Sequence, residues 1–338
     1  MITSPHVYLP VSVRAVMAKV LVALVPGIAA YVWFFGGGIL VTLALATLAA
    51  LAAEALMLKL RGKPLAMFLT DGSAAVTAWL VALAFPPLSP WWLIVAATLF
   101  AIVVAKHLYG GLGQNPFNPA MAAFAVMIVA FPGLMSQWPA AAQPLPFAEQ
   151  LRIMFAGARH LDAMVMATPL DALRTAFASG EGRATVATAL AAYPGGGLMA
   201  GKGWEWIALG YAVGGLWLLQ QRIFTWHVPT AFLGTLALIS GAFHVAAPER
   251  FATPLFHLFG GAAMLGAFFI ATDPVSGAIT PRGKLIFAAG AALITYFIRV
   301  FGAYPDGVAF GILLMNMCVP LIDMKTQPPV FGRKDGNP

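Results

Sequence analysis

The chain has 338 residues, 61% of them hydrophobic and only 9% charged. A soluble domain carries about a quarter charged residues, so this composition excludes one and points to a polytopic membrane protein in contact with the lipid bilayer. The formal charge of +7 does not imply nucleic acid, because basic residues at span ends account for it, and the single cysteine, Cys318, can neither ligate an iron–sulfur cluster nor close an internal disulfide.

The N-terminal stretch MITSPHVYLPVSVRAVMAKV has no small-residue cleavage site after its first apolar run, so the first span is expected to stay as an anchor. A span needs about 20 apolar residues. Apolar runs of suitable length predict spans at 15–35, 38–58, 72–86, 91–109, 117–132, 205–221, 226–244, 254–272, 284–301 and 306–323. The third and fifth are short, as interrupted helices lining a site are. Cys318 falls in the last span and reads as a packing residue.

Of the 19 Lys and Arg, twelve lie at ends that an N-in, C-in topology puts in the cytoplasm. Two, Arg250 and Arg299, fall in short outer loops, and five lie in the long 133–204 segment. This bias predicts that residues 133–204 are outside.

The two halves resemble each other. GSAAVTAWLVALAFP (72–86) aligns with GGAAMLGAFFIATDP (260–274), and PWWLIVAATLFAIVVAKHLYGG (90–111) with PRGKLIFAAGAALITYFIRVFG (281–302). Five spans per half is odd, so the second copy is expected inverted. The expected fold is all-α: residues 1–132 form the first five-span repeat, 133–204 an outer segment, 205–325 the second repeat and 326–338 a cytoplasmic tail. Inverted repeats with interrupted helices are a transporter architecture with sites near the repeat interface.

Polar residues in this apolar background mark candidate sites. Asp71 reads equally as a helix cap and as an ion-route carboxylate, and Asp273, before Pro274, is the better ion-route candidate. The loop GGLGQNPFNPAM (110–121) offers glycines, two Asn-Pro steps and a helix start, suited to an anion or a polar ring edge; a tight turn with Asx caps is the structural alternative. GLMAGKG lacks the Ser or Thr that a nucleotide loop needs after its lysine. The six histidines show no metal spacing. In LDAMVMATPLDALRT (161–175), Thr168 precedes a Pro-initiated helix and by itself reads as its N-cap.

The run IATDPVSGAITPRGKLIFAAGAALITYFIRVFGAYPDGVAFGILLMNMCVPLID, with FLTDGSAAVTAWLVALAFPP and GGLGQNPFNPAM, resembles the D subunit of the Rnf (Rsx) ion-translocating electron-transport complexes. The B subunit of the sodium-pumping NADH:quinone reductase is a related alternative with a longer N-terminal extension; a solute channel on the same repeat, without redox chemistry, is another. The resemblance implies an inner-membrane subunit that relays electrons between ferredoxin and NAD chemistry, coupled to Na⁺ or H⁺ movement. It also implies FMN joined through its phosphate to a threonine by a flavin transferase that reads D-x-x-[ST]-G-A-T.

Asp162, Ala167 and Thr168 match that motif, while Val165 and Met166 replace its Ser/Thr and Gly. SGAIT (276–280) is a near match, but Ile279 interrupts it before Thr280 and the topology puts it inside. The implied partners are other subunits of the complex, among them a flavin-bearing outer-face subunit and an NADH-side subunit. A second, noncovalent flavin such as riboflavin is expected against loops 110–119 and 271–282, with Asn115, Asn118 and Thr272 as contacts.

Overall fold

The computed structural model describes residues 12–139, 145–157, 165–178, 185–191, 193, 196–197, 199–304 and 306–327. The chain opens with two long helices, α1 (Val13–Phe35) and α2 (Gly38–Leu60). Ser12 starts α1 by accepting the Ala15 N–H on its hydroxyl. A short α3 (Leu65–Leu69) leads to α4 (Ser73–Ala84), and α5 (Trp91–Leu99) continues as a π-helical stretch, Phe100–His107. Then come α6 (Pro119–Ala130), with Pro at its first position, and α7 (Pro132–Met135).

In the connecting segment a two-residue strand β1 (Trp138–Pro139) pairs antiparallel with β2 (Val165–Met166). Around it lie α8 (Phe147–Ala156), α9 (Pro169–Ala178) and α10 (Val186–Ala191). The second half runs α11 (Trp204–Gln220), α12 (His227–Ala246), α13 (Pro254–Phe259), α14 (Ala263–Leu265) with a π-helical turn Gly266–Ile270, α15 (Pro281–Phe301) and α16 (Val308–Thr326).

A helix stands at each of the ten expected stretches. Five of them, α1, α2, α12, α15 and α16, are long and apolar enough to cross a membrane, which makes this a multi-pass membrane protein. By contrast α4 and α6 have 12 residues each, about 18 Å at the helical rise, too short for the ~30 Å hydrocarbon layer.

The eighth stretch departs from the continuous helix expected over 254–272. It breaks after Phe259, where Gly260 is extended and Gly261 adopts a positive φ of 60°. A Cβ on Gly261 would stand 2.3 Å from the Asp306 carboxylate, so glycine is required there. The π-helical turn just beyond is a rare distortion of the kind that gathers at functional sites.

Small residues set the closest packing. A Cβ on Gly214 of α11 would meet the Ala23 carbonyl oxygen of α1 at 1.8 Å, and Gly210 lies against Gly27. Backbones can approach this closely only where side chains vanish, the usual device between membrane helices. Helices α12, α15 and α16 form one packed group, α2, α4 and α5 another, and α6 lies against α16. The connecting segment is docked by Gln150, whose side chain accepts the Gly38 N–H at 2.6 Å and donates to the Leu145 carbonyl. Cys318 is not a packing residue as expected, for its side chain is on the exposed face of α16.

Candidate functional site

Two cavities lie back to back along the same helices, here termed outer and inner after the expected topology. Val20 of α1 lines the inner one and Tyr31 the outer one, roughly 17 Å further along the axis. Toward the middle the two converge. Leu80 of α4 lines the inner cavity and Leu83 the outer, about 4.5 Å apart in rise. Ala120 and Met121 of α6, and Phe269 and Ile270 of the π-helical turn, divide in the same way. The interrupted helices thus make a thin septum.

The outer cavity, about 110 Å³, carries Thr168 on its wall together with Trp138, Trp204, Phe124, Tyr31 and Tyr211. Thr168 Oγ1 accepts the Asp171 N–H at 3.2 Å and its carbonyl accepts the Ala172 N–H at 2.8 Å, so it is the N-cap of α9. The β1–β2 ladder brings Trp138 opposite Met166, two residues before Thr168. Trp138 and Trp204 meet edge to face with centroids 5.2 Å apart. The buried hydroxyls of Tyr31 and Tyr211 have no hydrogen-bond partner among the described residues. An orphaned hydroxyl costs about 1–3 kcal/mol, so this cavity is suited to a polar guest.

The outer wall is fixed by a buried ion pair. Arg299, whose side chain is fully buried, donates to Asp306 at 3.0 and 3.1 Å and to the carbonyls of His257 and Gly260. Asp306 in turn accepts the Ala262 and Val308 N–H groups. One guanidinium and one carboxylate therefore hold the break at 260–262 and the start of α16 together.

The inner cavity is larger, about 450 Å³, within the ordinary range for small-molecule sites. Asn115, Asn118, Thr272 and Asp273 all line it, although Asn115 and Asp273 are far apart in sequence. Backbone partners fix the orientation of both amides. Asn115 Nδ2 donates to the Phe117 carbonyl, leaving Oδ1; Asn118 Oδ1 accepts the Ala120 and Met121 N–H groups, leaving Nδ2. Neither remaining atom has a partner among the described residues, and neither is sealed from the cavity. The wall thus offers one free acceptor, from Asn115, and one free donor pair, from Asn118. Thr272 donates to the Phe268 carbonyl and keeps its acceptor lone pairs.

A charged cluster backs this cavity. Lys106, on the cavity wall, donates to both Glu54 oxygens at 2.9 Å and to Ser73 Oγ at 3.0 Å, with all three residues buried. His107 Nε2 lies 3.1 Å from Glu54, and its Nδ1 lies 3.3 Å from Arg61. Arg61 has no acceptor, so in that contact Nδ1 accepts and the ring proton belongs on Nε2, which lies close to Glu54 without a hydrogen bond of good geometry among the described residues.

Residues 1–332 match the model of the NQR2, RnfD, RnfE family. A protein of Aliivibrio salmonicida is 47% identical, with 99% of this chain and 98% of the relative aligned. One of Aeromonas hydrophila is 47% identical over 95% of each, and one of Escherichia fergusonii 45% identical over 99% and 98%. Each is named as the D subunit of an ion-translocating oxidoreductase complex. The chain belongs to the NQR2, RnfD, RnfE family.

In this family member the structure separates the sequence candidates cleanly. Thr168 stands alone on the outer cavity; Ala167 is exposed beside it, and Asp162 lies outside the described residues. Asp71 lines neither cavity; it stands one residue before Gly72, the N-cap of α4, and accepts the Ser73 N–H at 2.7 Å. Asp273 braces its own turn through Val275 and Ser276. Thr280 caps α15 through the Gly283 N–H, in the loop that borders the inner cavity. The GLMAGKG loop spends its Met199 and Ala200 N–H groups on Glu205, a carboxylate of the chain itself.

Two clusters escaped the sequence reading. Arg299 counted there as an outer-loop charge and Lys106 as a cytoplasmic span-end charge, yet both side chains are buried in ion pairs. The available signal was Glu54, a carboxylate inside an apolar span, where ionisable groups mark function by default.

Proposed function

We propose that the chain is the membrane subunit of an ion-translocating oxidoreductase complex, passing electrons between FMN esterified to Thr168 and a second flavin, such as riboflavin, in the inner cavity. The relatives' names support the complex, and favour the D subunit over the quinone reductase subunit. The observation that carries the reading is Thr168 on the wall of a cavity whose back wall is shared with an amide-lined one.

The residues present fit the two groups. A phosphoester on Thr168 would stand at the N-terminus of α9, where backbone N–H groups and the helix dipole favour negative charge. Its oxygen keeps the lone pair that caps Asp171. The outer cavity is smaller than the ~300 Å³ of ordinary ligand pockets, so an attached ring would be only partly enclosed, which suits exchange with a flavin-bearing partner subunit. In the inner cavity, Asn115 Oδ1 and Asn118 Nδ2 complement a ring edge carrying adjacent N–H and C=O groups. Flavins supply the redox chemistry, while the protein supplies tether, orientation and field.

The ten-span inverted repeat belongs to the same reading. It is supported by the pairing of matching helices: α1 packs on α11 and α6 on α16. In each half a cation near the end of the fourth span bonds the first residues of the aligned third-span segment (72–86 and 260–274), Lys106 to Ser73 and Arg299 to Gly260. N-in, C-in insertion in a bacterial inner membrane, maturation by a flavin transferase, an NADH-side partner and coupling to Na⁺ or H⁺ complete the proposal, with Asp273 the remaining ion-route candidate.

The test is in-gel flavin fluorescence of denatured protein made with its transferase, wild type beside Thr168→Ala. Fluorescence is expected in the first lane and absent from the second. Fluorescence in both moves the tether elsewhere, to Thr280 first. A folded but colourless wild type would favour a solute channel.

A further inference from the structure

We propose that Asn316 is the positioning residue of the inner cavity, the side chain that holds its two interrupted loops at the spacing an occupant needs. The proposal rests on the reading of that cavity as a noncovalent flavin site. Asn316 lies within α16, is 3% exposed and does not itself line the cavity. Its Oδ1 accepts the backbone N–H of Asn118 at 3.2 Å, and its Nδ2 donates to the backbone carbonyl of Ser276 at 2.9 Å. The first partner belongs to the loop that starts α6, the second to the loop between the π-helical turn and α15. One amide therefore ties together loops that come from opposite halves of the chain.

Both bonds are to backbone groups of opposite kind, so the amide has one satisfied orientation only. The tie continues on each side into the cavity wall. Asn118 carries the free Nδ2 that faces the cavity, and Ser276 donates its hydroxyl to Asp273 Oδ2 at 2.8 Å. A shift of either loop would move the free donor of Asn118 relative to Thr272 and Asp273 on the facing wall. The bond network thus assigns Asn316 the job of fixing the distance across the site, without contact to the ligand.

Substitution by Leu keeps the volume and removes both bonds. Substitution by Asp keeps the acceptor for Asn118 and sets an oxygen against the Ser276 carbonyl, so it breaks one side only. The full-length chain, matured with its flavin transferase and purified in detergent, would be acid-denatured and its flavin divided into a released and a protein-bound pool. Wild type is expected to yield both pools in equal amounts. Asn316→Leu should lose at least about tenfold of the released pool, and apo protein titrated with riboflavin should weaken to match, while protein-bound flavin on Thr168 is unchanged.

Asn316→Asp should retain part of the released pool, and the absorption band of its bound flavin, read on the native protein before denaturation, should be shifted, a change that mere loss of stability does not produce. Should the Leu variant fail to fold, the Asp variant decides. An undiminished released pool with an unshifted band in a folded variant overturns the proposal. A wild type that releases no flavin overturns instead the reading of the cavity on which it rests.

Discussion

The outer and inner cavities share α1, α4, α6 and the π-helical turn, yet their polar walls are built in opposite styles. Around the outer one, polarity is concentrated in the Arg299–Asp306 pair, which is spent on backbone groups at the break of the eighth span. What is left for a guest is aromatic surface, the Thr168 hydroxyl and the two unpartnered hydroxyls of Tyr31 and Tyr211, with no amide among them. Around the inner one, the charged cluster reaches the wall only through Lys106, whose charge is spent on Glu54 behind it, and the surface presents amides with unused valences. A wall that offers few directional groups needs a covalent tether to keep a cofactor. A wall with a matched donor and acceptor in 450 Å³ can hold one by recognition. The difference between the sites gives a physical reason for the proposed division into one tethered and one free flavin.

The sharpest way to break the comparison is at the inner cluster. Glu54→Leu leaves Lys106 buried without its counter-charge, and removing one partner of a buried pair costs about 3–5 kcal/mol. The protein is expected to lose thermal stability in detergent and its released flavin together. Glu54→Leu with Lys106→Leu should recover most of the stability, because a buried pair is replaceable by apolar groups of similar volume. A double variant no more stable than the single one would mean that the cluster is not an isolated pair. The thermal midpoints of the three proteins decide this.

At the outer wall the corresponding change is smaller. Asp306→Asn removes the charge facing Arg299 and keeps one acceptor, and a hydrogen bond to a charged group contributes about 1.5–3 kcal/mol. The break at 260–262 should loosen where it meets Leu170, and covalent flavin on Thr168 should fall while released flavin from the inner cavity persists. Equal loss of both pools would show that the two walls are not independent.

Much of this was legible in the chain itself, and the rest was hidden for identifiable reasons. Thr168 as an N-cap followed from Ala-Thr-Pro and Asp171, since a cap is a local event within four residues. The shortness of α4 and α6 followed from the Gly and Pro that bound them. The break at Gly260 did not, because 254–272 carries no Asp, Glu, Lys or Arg and reads as one span, and what stabilises the break is Asp306, 44 residues away from Ala262. Lys106 and Arg299 were misread for the same reason. Counting basic residues at span ends treats each as a solvated loop charge, whereas Glu54 is 52 positions from Lys106 and becomes its partner only through the packing of α2 on α5. Asn316 gave no local signal at all, being one amide in an apolar helix whose partners lie 198 and 40 residues distant.

The smallest expected effect separates structure from recognition within a single side chain. Asn118 uses Oδ1 to cap α6 and leaves Nδ2 toward the cavity. Replacing it by Ala removes both functions, at about 1 kcal/mol for the cap. Replacing it by Asp keeps the cap, since a carboxylate oxygen accepts the same N–H groups and its charge suits a helix N-terminus. The second oxygen, however, now faces the cavity where a donor stood. Asn118→Asp should therefore hold the wild-type thermal midpoint and still lose released flavin, while Asn118→Ala loses both. If the Asn118→Asp protein keeps its released flavin, the free amide edge is not what the inner cavity uses, and the contrast drawn between tether and recognition would have to rest on Asn115 and Thr272 alone.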